Sequence, residues 1–583
     1  MIQSIIFQNS KRATLIASFV FALCLNSCQD YLDVEPQTSL TEENAYKTVT
    51  DADAAVFGLY GKFVGLADKH VILNEMRADL MTTTNNSSTF LKQLSEHNVS
   101  QDNPYISPKP FYEVINNCND ILKNFDIMLA EKRFTQDQYN QRYADVGCIR
   151  SWVYLQLGIH FGTVPYITEP ISTLEDAKNA TKYPRIPFSE LLDKLIVFSE
   201  GLEYKKPYNA QSTMVTNVDG YSTAKFFINK ECLLGDLHLW KANYTKAASY
   251  YKNVMETAST SSNDTERYES YRISIFGDGN NPNNNYFVRY AQSDNASTLI
   301  NGTTFGWRSM FSRTRDALWN QEWIWSIPYT SNLSWNNPFI KLFSKLKGDY
   351  LAKPSQSSID LWNSNKQIAI PYDARGSKLT YLMEGNDPVI MKYQYKSDAS
   401  FTGPANNGDW FLYRTVKLHL RYAEAANRDN KHRIASAILN NGFQVEYNRG
   451  GVSNTSGNVT NIMQTKEPFP YNFDARQGDF PRFRADWHRN GGVRRRANLP
   501  AAPVVGDSLI SIENNLINEA ALDLAYEGNR WEDLVRVALH RNDPSFLADK
   551  VYDKLSKEGS SQASTVRTKL MNVNNWYLPF DWK

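Results

Sequence analysis

Helical periodicity constrains this chain more than any other feature of its sequence. Residues 137 to 161 place Tyr143, Val146, Ile149, Arg150, Val153, Tyr154 and Leu157 at helical spacing, and Gly162-Thr-Val-Pro165 then breaks the pattern. The spacing predicts a long helix from Asp137 to Phe161. A second stretch, 41 to 67, opens on Thr41-Glu-Glu-Asn44, a capping-type start, and continues with Ala45, Val49, Ala52, Val56, Leu59, Tyr60 and Phe63. A third helix is expected from Phe111 to Leu129. A chain with this pattern is mostly α.

Residues 221 to 257 read as a helix-turn-helix repeat of the tetratricopeptide kind. Gly235, Ala247 and Tyr251 stand at the spacings of the repeat's packing glycine, alanine and aromatic, and Lys241-Ala-Asn-Tyr244 makes the turn. One repeat cannot bury its own apolar face, so it requires neighbours. Helix pairs near 45 to 67, 111 to 161 and 411 to 443 are the candidates. Between 258 and 410 the pattern dissolves into Asn, Ser, Gly and aromatic residues, and 445 to 500 is again loop-like. Asp278 to Asn285 reads as a loop but lacks the sixth-position Gly and the closing Glu of a calcium loop.

The first 27 residues have a different character. Lys11 and Arg12 precede an apolar run from Ala13 to Leu25 that is too short to span a bilayer and has the layout of an export signal. Leu25-Asn-Ser-Cys28, followed by a polar, acidic tract, looks like a bacterial lipoprotein signal, which makes Cys28 an acylated mature N-terminus. An ordinary signal with an incidental cysteine is the alternative. Several acyl chains on one cysteine would hold the protein at a membrane without crossing it. Of five cysteines, Cys118, Cys148 and Cys232 then remain, in apolar helical contexts that imply buried thiols; one disulfide with a leftover thiol is the other arrangement.

Composition narrows the partners. Lys and Arg number 63 against 62 Asp and Glu, so nucleic acid and polyanionic surfaces, which need a basic excess, are disfavoured. The excess is aromatic, with 33 Tyr, 29 Phe and 13 Trp. It concentrates at 305 to 335, in Phe305, Trp307, Phe311, Trp319, Trp323, Trp325, Tyr329 and Trp335. Arg308, Arg313, Arg315, Asn320, Gln321 and Asn336 are interleaved. Indole faces pack on sugar C–H groups while amides and guanidinium groups bind hydroxyls, so these rings are candidate ligand contacts. Packing of the same rings into the core is the competing reading. Catalytic signatures are missing: the eight His form no HExxH, and there is no GxSxG, P-loop or strand-borne GxGxxG. No catalytic residue, metal site or cofactor is assigned. Carboxylates suited to glycoside hydrolysis are abundant, yet nothing singles out a pair.

Several segments, taken together, resemble the SusD-like (RagB/SusD) family of outer-membrane nutrient-binding lipoproteins. Cys28-Gln-Asp-Tyr-Leu-Asp-Val-Glu-Pro36 is similar to the family's opening, and Ile149 to Glu169 to its helix ending in Phe-Gly-x-Val-Pro. Tyr372-Asp-Ala-Arg375, Ile390-Met-Lys-Tyr393 and Arg421-Tyr-Ala-Glu-Ala-Ala-Asn427 follow, and then Leu524 to Arg536, similar to a Glu-Gly-x-Arg-x-x-Asp-Leu-x-Arg helix end. The order of the matches, from 28 to about 582, carries the resemblance. Two departures stand out: Glu519-Ala520 replaces a usual Glu-Arg pair, and 445 to 500 fits no family pattern. Read from its residues alone, the last motif is structural. Leu516, Ala520 and Leu524 line one face, Gly528 allows a bend, and Glu532 with Arg536 makes an i,i+4 pair.

The resemblance implies a SusD-like fold, mostly α, with tetratricopeptide-like pairs and long irregular loops. A helical region from 28 to 260 would be followed by a loop-rich one from 261 to 583. It implies capture of oligosaccharides, or oligopeptides, for a TonB-dependent SusC-like outer-membrane transporter that docks on the helical side, without bond cleavage or cofactor. The ligand platform would combine residues 77 to 105, with Arg77, Asp79, Asn85, Asn86, Phe90 and Tyr105, and residues 276 to 335. The first of these holds no Trp, which leaves a peptide cargo open. The rivals are an α-helical glycoside hydrolase and a structural or adhesive surface protein.

Overall fold

The computed structural model describes residues 46–171, 173, 175, 182–209, 211–257, 268, 307–312, 322–330, 333, 335–367, 370–396, 407–447, 463–476, 487 and 490–582. Cys28 and its signal lie outside them, as do Trp319 and the 278 to 285 loop.

The helix Gln136–Phe161 is the axis. Thr135 and Gln138 form a capping box at its start, and Gly162, at φ 71°, ends it. Every residue from Ala144 to Phe161 is buried, so the helix is enclosed on all sides. Its polar members are therefore partnered. Arg142 donates to Asp53 at 2.5 Å and Arg150 to Asn119 at 2.7 Å. Helix Lys109–Ala130 packs on one side of it and helix Phe188–Glu200 on another. Helix Val49–Val64 has its own capping box, Thr48 with Asp51; the Thr41 to Asn44 start lies outside the described residues.

The tetratricopeptide-like pair is Lys230–Trp240 and Tyr244–Met255. A Cβ on Gly235 would lie 2.3 Å from the Tyr251 ring, so only glycine lets the two helices meet there. Tyr244–Met255 packs next on Thr415–Arg428, which pairs with His432–Leu439 and with Ser508–Asp523. The row of helices thus continues across a gap of some 160 residues in sequence. Cys118, Cys148 and Cys232 are buried free thiols, which rules out the disulfide arrangement.

The looped-out part is more regular than its composition suggests. Strand Trp323–Tyr329 pairs antiparallel with Gly408–Arg414, Gly408 opposite Tyr329 and Trp410 opposite Ile327. Residues 411 to 414, expected in a helix, belong to this ribbon. Met81–Thr83 pairs with Ala352–Pro354, and Tyr381–Glu384 forms a hairpin with Asp387–Ile390. All residues of the Trp323–Tyr329 strand are buried, so no polar alternation marked it in the sequence.

The two parts are joined by buried charge. Arg414 meets Glu322 at 2.6 Å, Asp523 at 2.7 Å and Glu527 at 2.8 Å. Arg375 meets Asp373, Glu519 and Asp523 at 2.7, 2.8 and 3.1 Å. Lys392 pairs with Glu527, Arg494 with Glu519, and Arg496 with Glu322. Five cations thus face five carboxylates. A second group joins Arg421 to Glu532 and Asp533, and Arg536 to Glu424 and Asp533. The expected Glu532–Arg536 pair is therefore not formed. Both side chains are buried and turn to the Thr415–Arg428 helix, where desolvated partners hold them more strongly than a surface neighbour would.

Glu75 completes the frame. It lies on the π-helical turn Ile72–Met76, and its Oε1 accepts from the backbone N–H groups of Gly528, Asn529 and Arg530 at 2.8, 3.0 and 3.4 Å. It therefore caps helix Arg530–Arg541 from a distant part of the chain. Gly528, at φ 82°, is packed against His70, and a Cβ there would lie 2.4 Å from that ring.

Two outcomes follow from this frame. Replacing Arg414 with Met leaves each of three buried carboxylates with only one other cation and should cost about 3–5 kcal/mol, read as a lowered urea midpoint. Burial pushes the Glu75 carboxyl up to about 8 from 4.5. The stability tied to its proton is complete below the unfolded value and is lost as pH rises through the folded one. Glu75→Gln keeps an oxygen for the three N–H groups and cannot ionise. Its stability relative to the parent should therefore rise between about pH 5 and about pH 9, in urea melts at both pH values.

Candidate functional site

The ribbon of strands Trp323–Tyr329 and Gly408–Arg414 has one end deep in the charge network and the other directed to the surface. Tyr329 and Gly408 close the ladder there. Just past it, Asn337 ties the neighbouring turns together. Its Oδ1 accepts from the Phe339 N–H at 3.0 Å, capping helix Pro338–Phe343, and its Nδ2 donates to the carbonyls of Tyr393 and Asn407 at 3.3 and 3.4 Å. A Cβ on Gly408 would lie 2.3 Å from that Nδ2, so the glycine allows the approach. Buried without a partner at this end are the hydroxyls of Tyr329 and Thr330 and Oδ1 of Asn407.

Three further segments meet here. Trp335, half-buried, rests over helix Val49–Val64, where a Cβ on Gly61 would come 3.5 Å from its Nε1. In the short helix Ala67–Val71, Asp68 is half-buried and has no ion-pair partner within 4 Å among the described residues; its Oδ1 accepts from the Lys69 N–H at 2.7 Å. The charges nearest it are Lys69 and Lys341, and burial raises its carboxyl above the ordinary value. Lys69 is turned away, its ammonium bound to the carbonyls of Pro104, Tyr105 and Ser107 at 3.1, 3.1 and 3.2 Å. Burial lowers it to about 8.

Tyr105 connects Asp68 to the third segment. Burial first, and then the Asp68 charge, raises its phenol, while the Ser88 side chain beside it lowers it. The turn from Thr84 to Ser88 is pinned at each step. The Thr84 hydroxyl donates to the Tyr350 carbonyl and the Ser87 hydroxyl to that of Leu351, both at 2.5 Å, and the Asn86 amide donates to the Asp349 carbonyl at 3.0 Å. Asn85 and Asn86 are held exposed on it, and half-buried Phe90 follows in the helix Thr89–Ser95 that Ser88 caps. The Asp68 carboxylate thus has the Tyr105 and Tyr329 phenols as neighbours, while Trp335, two residues before Asn337, and the Asn85–Asn86 turn stand on adjoining segments. Such a set can stack on a ring and bind hydroxyls.

The structure redistributes the residues expected at the site. Asn85, Phe90, Tyr105 and Trp335 fall on this surface or at its edge. The other described rings do not. Trp307 is buried beneath the guanidinium groups of Arg375 and Arg496. Trp323 stacks on Phe411, and Trp325 stacks on Phe63 while donating to the Phe226 carbonyl at 2.9 Å. Tyr329 is buried against Phe339. Trp323, Trp325 and Tyr329 fill the core because they lie on a strand covered on both faces. Arg77 is interior as well. It lies 4.1 Å over the Trp531 ring and 3.2 Å from His160 Nδ1, and burial lowers it to about 9. Asp79 is taken by Arg530 at 2.6 Å. Arg308 donates to the Lys378 carbonyl at 3.0 Å. Phe305, Trp319, Arg313, Arg315, Asn320 and Gln321 lie outside the described residues, as does the sequence from 276 to 306.

Sequence reasoning missed Asp68, Lys69 and Asn337. Each is a single polar residue in an ordinary context, and only the fold brings them together. A second concavity, of about 370 Å³, lies between Tyr46 and helix Lys109–Ala130. Its polar groups are already engaged: Tyr46 donates to Asp120 at 3.3 Å, Asn124 to the Asp120 carbonyl at 2.9 Å, and Arg133 to the Tyr46 carbonyl at 2.9 Å. Among the described residues no three His, Cys, Asp or Glu are placed to hold a metal ion, and no helix is long and apolar enough to cross a membrane.

No family profile matches the chain. Three curated proteins of Formosa agariphila do, among them SusD-like protein P38, 27% identical over 196 residues, and SusD-like protein P25, 24% identical over 173. These matches cover 33% and 27% of this chain, which spans about a third of each relative's length, 36% and 31%. Solved structures extend the likeness to the whole fold. A SusD superfamily protein from Bacteroides vulgatus superposes with a TM-score of 0.57 at 14% identity, over 91% of this chain and 95% of its own. A laminarin-binding SusD-like protein superposes with a TM-score of 0.54 at 15% identity, over 92% and 96%.

The burial pattern can be read chemically. Limited N-bromosuccinimide oxidation followed by peptide mass spectrometry should modify Trp335 well before Trp307, Trp323, Trp325 and Trp410, which should react only as the protein unfolds.

Proposed function

We propose that this chain, SusD-like in sequence and fold, captures oligosaccharides at the cell surface and hands them to a TonB-dependent SusC-like transporter of the outer membrane. In this reading Cys28 carries the lipid anchor, the row of helices faces the transporter, and the ligand is bound without being cleaved. The observation that carries it is the surface shared by Trp335, Asp68, Tyr105 and the Asn85–Asn86 turn, in a fold that also serves a laminarin-binding protein. A half-exposed indole beside fixed hydrogen-bonding groups suits the alternating apolar and polar faces of a pyranose.

Calorimetric titration against a panel of oligosaccharides, laminari-oligosaccharides included, tests the binding. Trp335→Ala should weaken the best ligand by about tenfold or more, while Trp325→Phe, which alters only the core, leaves that affinity unchanged apart from any loss of folded protein. Absence of binding across the panel, or release of new reducing ends during incubation, would overturn the reading. Palmitate labelling of the wild type and of Cys28→Ala in cells, with co-purification from outer membranes, tests the anchor and the transporter.

A further inference from the structure

We infer that Asp68 makes this surface selective for ligands that offer hydrogen-bond donors and carry no negative charge, namely neutral or amino sugars, over uronic and sulfated ones. The inference rests on the glycan-binding reading above and concerns only which glycans are taken.

Asp68 differs from the carboxylates of the interior charge network. Each carboxylate of the interior network meets an arginine or a lysine, whereas Asp68, half-buried, has no cation within 4 Å among the described residues. Two cations face it, and neither is free to neutralise it. The Lys69 ammonium is held by three carbonyls of the 104 to 107 turn. Lys341 is solvent-exposed and lies 3.8 Å from Asp349, so its field is shared and screened. The remaining neighbours are the phenols of Tyr105 and Tyr329.

Charge points the same way. An ionised carboxylate only accepts. Sugar hydroxyls and ammonium groups can donate to Asp68, whereas a carboxylate or a sulfate ester offers it no donor and sets a second negative charge beside one already partly removed from water.

The test pairs a set of neutral oligosaccharides with the same set oxidised at C6 to carboxylates, so that linkage and length are unchanged. The wild type should bind the unoxidised member of a pair at least about tenfold more tightly. Asp68→Asn keeps an acceptor oxygen and removes the charge. It should close that gap to within about threefold, the comparison being made within each pair so that any change in affinity for the neutral sugar cancels. Equal wild-type affinity for both members of each pair, or a gap that persists in Asp68→Asn, overturns this inference and leaves glycan binding standing. Absence of wild-type binding to every member of the set overturns both.

Discussion

Charge buried without water is the constraint on which the rest of this structure depends. The network around Arg414 and Arg375 draws its ten charged groups from residues 322, 373 to 375, 392, 414, 494 to 496 and 519 to 527. Removing any one of them from water costs several kcal/mol, and the cost is offset only while its partners are in place. Shifting the Gly408–Arg414 strand along Trp323–Tyr329 would move Arg414 away from three carboxylates at once. The register of the ribbon and the seating of the looped-out segments on the helices are therefore set together. Two of the five cations, Arg494 and Arg496, come from the stretch that fits no family pattern, which gives at least the end of that stretch a structural purpose.

The same logic links the two ends of the chain. Glu75 caps a helix more than 450 residues away, and Asp79 pairs with Arg530 on that same helix. The segment that carries these acids begins at Asp68 and continues through the π-helical turn into the strand Met81–Thr83. The candidate site is thus the outer end of a segment whose inner end is held by the C-terminal helices. Its position is fixed by contacts that never touch a ligand.

The frame was legible in the sequence to a large extent, and for physical reasons. Gly235 and Tyr251 stand at a spacing that only close helix packing explains, and Tyr143 to Leu157 repeat at the helical period because the helix they form is core. The motifs Tyr372 to Arg375, Ile390 to Tyr393, Arg421 to Asn427 and Leu524 to Arg536 proved to be members of the buried network and its neighbours, so their order along the chain reported the fold rather than the site. What the sequence hid were features without local period. Trp323, Trp325 and Tyr329 looked like a ligand platform because a strand buried on both faces shows no alternation. Arg77 entered the expected ligand platform through the family resemblance alone, and no nearby residue revealed that His160 and Trp531 enclose it. Asp68 drew no notice because a lone acid beside a lysine is the commonest sight on a protein surface, and its lack of an ion pair among the described residues shows only in three dimensions.

The site itself combines rigidity with exposure. The Thr84 to Ser88 turn is tied by its own hydroxyls and by the carbonyls of Tyr350 and Leu351, so Asn85 and Asn86 are presented with little conformational freedom left to lose. Trp335 rests on a helix anchored in the core. Binding to such a surface does not have to include the entropy of ordering it, and weak individual contacts can sum to a useful affinity.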